Sequence, residues 1–387
     1  MILIFVILAA SNLYLVQAQP LIVQRRYVQG YLRTQGTWIV DASGQVVLLR
    51  GADFMGYDPF QLSIKGMTHS EQDYRNMKDA GFNIVRLPID WGMIEPTKGV
   101  YNEQYFTEYV DHDIAWAKEY GIYVILDMHQ WMWNQKFYLG GNGAPDWAVT
   151  QYPPTDAGRL ASMENFWKNE TLRASFVNVW KYVASRYSNE TFVAGYDLLN
   201  EPWNMFDTSK PNGNERWSII ESFYEELIDA VRTVDGNHIV FVEPWLGKGY
   251  LASISPIQKP NLVWSPHFYC YTYSYIDGGK EVESYGKPYS HDNASLLESY
   301  LKPYYDQYVV DFQQPMWMGE FGIEMFVQGS GTWAQDSVTL FEKYQLGWAW
   351  WAYWRSNTPD MFLLDSNGLW RTQFLQALAD PPLTLAQ

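Results

Sequence analysis

Tyr120-Gly121-Ile122-Tyr123-Val124-Ile125-Leu126-Asp127-Met128-His129 closes an amphipathic helix begun near Glu103, turns on a glycine, runs through a short apolar strand and ends on polar side chains. Gly121 suits the turn because the residue just past a helix often adopts a left-handed backbone, which glycine reaches without strain. The same unit recurs along the chain. The spacing predicts a helix over 70–80, then Gly81 and a strand at Asn83-Ile84-Val85-Arg86-Leu87-Pro88. Helices over 166–187 and 217–234 lead to Val193–Asn200 and to Ile239-Val240-Phe241-Val242-Glu243. A less distinct segment around Leu251 precedes Leu262-Val263-Trp264-Ser265-Pro266-His267. Helices over 294–312 and 333–345 precede Met316-Trp317-Met318-Gly319-Glu320 and Trp348-Ala349-Trp350-Trp351-Ala352-Tyr353-Trp354, and a last helix covers 370–379.

With a first strand near Leu48, this makes eight β–α units whose strands read as apolar throughout, as a parallel sheet covered on both faces requires. The fold class is therefore α/β, a (β/α)8 TIM barrel. An open, doubly wound sheet would alternate in the same way, but no Gly-x-Gly-x-x-Gly fingerprint follows an early strand. Upstream, Trp38-Ile39-Val40 and the segment from Gln45 to Arg50 read as an N-terminal β-hairpin turning on Asp41-Ala42-Ser43-Gly44 and plugging the barrel floor.

Of the 387 residues, 47% are hydrophobic and 18% charged, a composition for one large packed domain rather than a disordered chain. Residues 1–18 read as a secretory signal, an apolar run followed by the small-residue site Val16-Gln17-Ala18; a signal anchor at the outer face of the membrane is the alternative. Residues 19–36 read as an extension and 37–387 as the single barrel domain. No other stretch is apolar enough to span a bilayer. A secreted monomer is the expectation. A single cysteine, Cys270, allows no intrachain disulfide. The net charge of −16 speaks against nucleic acid as a partner and suits a neutral substrate, and 19 Trp and 29 Tyr supply faces on which sugar rings could stack.

In a barrel every strand delivers its C-terminal residues to one rim. Here that rim receives Arg86, Asp127, His129, Asn200, Glu201, Glu243, His267, Tyr269, Glu320 and Trp354. Pro202 ends the fourth strand, so Asn200 and Glu201 emerge at its tip, and Glu320 stands between two glycines at the tip of the seventh. Strands four and seven face each other, which places two carboxyls about 5–5.5 Å apart, the separation of retaining glycoside hydrolysis. Arg86 and His267 serve as charge partners for an ionised nucleophile, and Asn200 is placed for the sugar 2-hydroxyl. Glu243-Pro244-Trp245 lacks the preceding asparagine, so Glu243 reads as a subsite or structural acid. Trp131, Trp133, Trp203 and Trp245 follow strands, where each serves either as a platform or as core.

Six motifs in order resemble glycoside hydrolase family 5: Asn83 to Pro88, Leu126-Asp127-Met128-His129-Gln130, Leu199-Asn200-Glu201-Pro202, His267-Phe268-Tyr269, Gly319-Glu320-Phe321-Gly322 and Trp351-Ala352-Tyr353-Trp354. The resemblance implies Glu201 as acid/base and Glu320 as nucleophile. It implies Arg86, His129, Asn200, His267, Tyr269 and Trp354 as supporting residues, with no cofactor. The run from Asp127 to Gln130, with Gly143-Ala144-Pro145-Asp146-Trp147-Ala148 downstream, is similar to the endoglycoceramidase branch, which cleaves glycolipids at the sugar–ceramide link. That branch carries an acid where Trp131 stands and a lysine after the first strand. An aromatic in place of a carboxylate favours stacking on a neutral glycan, so a β-glucan or β-mannan comes first as substrate and a glycolipid second.

Other chemistries leave different marks. A metal at His129, His267 and Glu243 would lack any His-x-His or His-Glu-x-x-His spacing, and serine chemistry would lack its Gly-x-Ser-x-Gly elbow. A carbohydrate-binding barrel without catalysis would keep the aromatics but has no use for two glutamates on opposed strands.

Overall fold

A computed structural model describes residues 30–63, 68–206, 213–244, 254–269, 275–277, 280–282 and 287–379. The signal at 1–18, most of the extension, Trp245, Cys270 and the segment around Leu251 lie outside the described residues. The chain begins with a hairpin of β1 (Arg33–Gln35) and β2 (Trp38–Val40), turning where Gly36 takes φ +58°. The pairing expected from the sequence, Trp38–Val40 with the residues after Gly44, is present beside it in part. Val46 makes one bridge back to Val40, and Val47 N–H donates to the Ile39 carbonyl at 2.9 Å. The Asp41 carboxylate closes the turn between them by accepting from the amides of Ser43 and Gln45 at 2.8 and 3.0 Å.

The barrel strands are β3 (Arg50–Phe54), β4 (Ile84–Asp90), β5 (Tyr123–His129), β6 (Val193–Asp197), β7 (Ile239–Val242), β8 (Leu262–Trp264) with β9 (His267–Phe268), β12 (Met318–Phe321) and β13 (Trp348–Tyr353). Between them β10 (Tyr275–Asp277) and β11 (Lys280–Val282) form a separate antiparallel pair. Beyond the barrel, β14 (Arg355–Ser356) pairs with β15 (Leu364–Asp365). Parallel pairing runs β8-β7-β6-β5-β4-β3-β13-β12-β9. Since β8 and β9 are two halves of one strand, interrupted where Pro266 lacks an N–H, the sheet closes on itself as an eight-membered barrel. Described helices Glu71–Asp79, Asp111–Tyr120, Glu170–Tyr187, Gly213–Arg232, Ala294–Tyr305, Ser330–Lys343 and Thr372–Ala379 cover its outside.

Burial along the strands follows a period of two. Val85, Leu87, Val124, Leu126, Trp348 and Trp350 face the helices. Ile84, Ile125, Ala194, Phe241, Val263, Trp317 and Ala349 face inward and form a separate apolar cluster with Leu32, Ile39, Val47 and Leu49. The hairpin thus plugs the barrel floor. Above this apolar floor the inward positions change character: Asp53, Arg86, Asp127, Asp197, Glu243, His267 and Glu320 are all buried. The strands are buried throughout but not apolar throughout.

Candidate active site

Asn200 and Glu201 leave the sheet in opposite senses. Asn200 N–H stays in the ladder, donating to the Met128 carbonyl at 3.1 Å. Its side chain accepts from Arg86 Nη2 at 2.9 Å and donates to the Gln130 carbonyl at 3.0 Å. Glu201 then takes φ +44° and ψ +54°, a left-handed conformation that turns the chain into the short helical turn Pro202–Met205. The half-buried Glu201 carboxylate lies 3.0 Å from His267 Nδ1 through Oε1, and its Oε2 accepts from Asn204 Nδ2 at 2.5 Å. Across the barrel, the buried Glu320 accepts from Arg86 Nη1 at 2.8 Å and from the Tyr269 hydroxyl at 2.7 Å. One oxygen of Glu201, one of Glu320 and a ring nitrogen of His267 all lie within 4.8 Å of one another.

Arg86 is the hub of the charged layer. Its guanidinium lies within 2.8–3.1 Å of Asp53, Asp127, Asp197, Glu243 and Glu320. Five carboxylates around one guanidinium cannot all ionise cheaply in a buried layer. Burial pushes Asp53 well up, Asp197 up to about 6 and Glu243 up to about 8, each against the pull of Arg86 or His267. Burial would lower the His267 imidazole, but Glu243 and Glu320 outweigh it and hold His267 well above the usual range, so it stands as a cation between the two glutamates. The oxygens of Asp127, Asp197 and Glu243 also converge within 4.8 Å, as metal ligands could, but the cation that faces them is Arg86.

One flank of the site is aromatic. Asp127 accepts from His129 Nδ1 at 2.7 Å, and the His129 ring stacks on Trp351 with centroids 5.2 Å apart and planes 9° off parallel. Trp131 is 40% exposed and meets Tyr138 edge-on at 5.0 Å, while Trp133 and Trp203 are buried. Trp203 packs edge-on against His267.

The structure brings Arg86, Asp127, His129, Asn200, Glu201, His267, Tyr269 and Glu320 together, with Trp131 at the edge. It does not bring Trp354 in with them. Trp354 lies past the end of β13 and lines a small groove with His69, Asp73 and Arg355. The aromatic that β13 offers to the site is Trp351. Strand parity is the signal that finds it, since Ala349 faces inward and Trp351 is two residues on. Parity from Leu49 also exposes Asp53, and the pairing of Asp197 with Asp127 exposes Asp197; sequence reasoning missed both buried carboxylates.

A family model described as cellulase (glycosyl hydrolase family 5) matches residues 40–357. The chain belongs to glycoside hydrolase family 5. Membership of this family makes it a glycosidase. An endoglycoceramidase from Cyanea nozakii is 28% identical over 281 residues, 60% of this chain and 55% of that protein. The chain thus spans little more than half the length of this relative. Endoglucanase C from Acetivibrio thermocellus is 23% identical over 327 residues, 73% of this chain and 83% of its own. Among solved structures, endo-glycoceramidase II from Rhodococcus sp. superposes with a TM-score of 0.72 at 23% identity, covering 90% of this family 5 chain and 80% of that one, a likeness of fold.

Proposed function

We propose that this family 5 enzyme is a retaining β-glycosidase in which Glu320 is the nucleophile and Glu201 the acid/base. The observation that carries the reading is the pair of carboxylates within 4.8 Å whose partners differ. Glu320 takes hydrogen bonds from Arg86 and Tyr269, which hold its carboxylate in place for attack. Glu201 is half-buried and reaches toward the open rim, where a leaving oxygen would sit. Glu320 attacks the anomeric carbon while the glycosidic C–O bond breaks, and Glu201 gives its proton to the departing oxygen. Water then loses a proton to Glu201 and attacks the same carbon, freeing Glu320 and returning the sugar in its original configuration. His129, stacked on Trp351, and Asn200 line the place of the attacked ring.

Two variants test the roles. Glu201→Ala forms the glycosyl-enzyme from a substrate with a good leaving group and then stalls; added azide attacks opposite Glu320 and yields the β-glycosyl azide. Glu320→Ala forms no intermediate, and azide in the vacated space yields the α-azide. An α product from Glu201→Ala would overturn the assignment.

For the substrate, we infer an amphiphilic β-glycoside with an apolar aglycone. Beside the site Trp131, Tyr138 and Leu139 are 40%, 51% and 75% exposed, and Leu139 offers apolar surface without the flat face on which a sugar stacks. The endoglycoceramidase relative supports the same reading. A β-glucan is the second reading, supported by the endoglucanase relative and by the expectation from Trp131. Product analysis with glucosylceramide, lactosylceramide, β-glucan and β-mannan separates them: turnover of a glycan with none on either glycolipid would reject the first reading. Secretion as a monomer remains part of the proposal, and no described helix is long and apolar enough to cross a membrane.

A further inference from the structure

Glu243 stands just past β7 and is fully buried. Its carboxylate meets donors from three parts of the barrel. Oε2 accepts the main-chain N–H of Glu201 at 2.7 Å. Oε1 accepts from Arg86 Nη2 at 2.9 Å and lies 3.3 Å from His267 Nε2. The Glu243 main chain is fixed from outside the barrel, where the Tyr224 hydroxyl accepts its N–H at 3.1 Å and reaches the carbonyls of Leu199 and Glu243 at 3.2 and 3.3 Å. Tyr224 belongs to helix Gly213–Arg232, so the helix layer is tied to the strands where Glu201 leaves them.

The captured amide matters because of the shape Glu201 must hold. A left-handed backbone is disfavoured for any residue with a Cβ and persists only where its surroundings enforce it. Gln130 Nε2 donates to the carbonyls of Asn200 and Glu201 at 3.1 and 3.2 Å, and Glu243 accepts the Glu201 amide. Both sides of the residue are thereby gripped. Its side chain then reaches one way to His267 and Glu320 and the other way to Asn204. His267 adds a second link, with Nδ1 facing Glu201 and Nε2 facing Glu243.

We propose that Glu243 is a positioning residue for proton transfer: by holding the Glu201 amide and the far nitrogen of His267, it aims the Glu201 carboxyl at the glycosidic oxygen. The inference rests on the reading of Glu201 as acid/base. Its consequence is selective. Loss of Glu243 impairs the steps that move a proton and spares attack by Glu320 on a substrate whose leaving group needs none.

The test compares phenyl and 2,4-dinitrophenyl β-cellobiosides in Glu243→Gln, with wild type and Glu201→Ala alongside. The amide keeps the volume but must turn an NH2 toward Glu201 N–H, or toward Arg86 and His267. We expect kcat/KM on the phenyl glycoside to fall about 10–100-fold and that on the dinitrophenyl glycoside to stay within about threefold. On the dinitrophenyl glycoside kcat and KM should fall together, because the second step now limits, and azide should restore kcat. A merely structural lesion lowers kcat/KM on both substrates alike and gives azide nothing to rescue. Glu201→Ala should show the same pattern more strongly; if it does not, the acid/base reading fails, and this inference with it. Should Glu201→Ala show the pattern while Glu243→Gln lowers both substrates equally or neither, the positioning role is wrong and the mechanism stands. Glu243→Asp, which retracts the carboxylate from the amide, repeats the test where Glu243→Gln does not fold.

Discussion

Arg86 faces five carboxylates in a buried layer, and burial acts on them unequally. Burial pushes Asp53 well up and Glu243 up to about 8, while Glu320 accepts from both Arg86 and the Tyr269 hydroxyl. On the open side of this layer the His129 ring, oriented by Asp127, stacks on Trp351. A sugar ring seated over the two glutamates would meet that stack. Trp351→Ala should therefore lower kcat about 10–100-fold as well as raise KM, since a mispositioned ring weakens contacts made in the transition state. Trp354→Ala, in a groove beside Asp73 and Arg355, should change kcat less than about threefold. Steady-state kinetics of the two variants decide the matter, and a larger kcat loss in Trp354→Ala would restore the residue that sequence reasoning chose.

The element that carries Trp131 is a loop clasped to its neighbours. Asp90 accepts from the amides of Gly143 and Met93, both at 2.7 Å, and Gly92 N–H donates to the Gly143 carbonyl at 2.9 Å. Asn142 accepts from Trp131 N–H at 2.7 Å and donates to Asp58 at 3.2 Å. Gly143 holds φ +116°, and a Cβ there would stand 2.7 Å from the Cβ of Gln130, the residue that grips Glu201. Gly143→Ala should cost about 1–3 kcal/mol of stability and should lower activity, since relief of the clash moves Gln130. Chemical denaturation and kcat/KM measured together check this; unchanged activity would separate the loop from the site. The clasp was not legible in the sequence, because its partners come from three loops whose spacing no local pattern fixes. The barrel was legible, because eight repeats of helix, turn and strand are a local signal repeated many times. The two glutamates were legible for the same reason: a proline and two glycines mark the strand ends that carry them. Trp351 was not, because Trp348 to Trp354 contains four tryptophans and only the register of β13 tells which one faces inward. The turn at Asp41-Ala42-Ser43-Gly44 was legible as well, while the tighter turn at Gly36, which adds Arg33–Gln35 upstream, was not.

At the scale of the whole molecule the buried acids set a pH preference. Burial, with Asp58 adding to it, pushes Asp90 up to about 7, and burial pushes Asp197 to about 6 and Glu243 to about 8. A carboxyl raised in the folded state binds protons that the unfolded chain has already released. Its contribution to stability is full below about pH 4, the unfolded value, and is lost as pH rises through the folded values between about 6 and 8. Asp235 acts in the opposite sense. Hydrogen bonds from His238 and Tyr196 outweigh its desolvation and lower it to about 2, so its contribution is present above about pH 4 and is lost as pH falls toward 2. The net charge of −16 at pH 7 adds self-repulsion on the alkaline side, where more carboxyls ionise. The two trends meet at an optimum near pH 4. Thermal unfolding at constant ionic strength should give its highest midpoint there, with a loss of several degrees by pH 8 and a smaller loss by about pH 2. Asp90→Asn should lower the midpoint throughout, because one amide then lacks its acceptor, yet flatten the decline from pH 5 to pH 8. Activity should fall over the same alkaline range, since ionisation of Glu243 and Asp197 competes with Glu320 for Arg86. A midpoint at pH 8 equal to that at pH 5 would mean that these acids are ionised throughout, and the protonated layer around Arg86 would have to be abandoned.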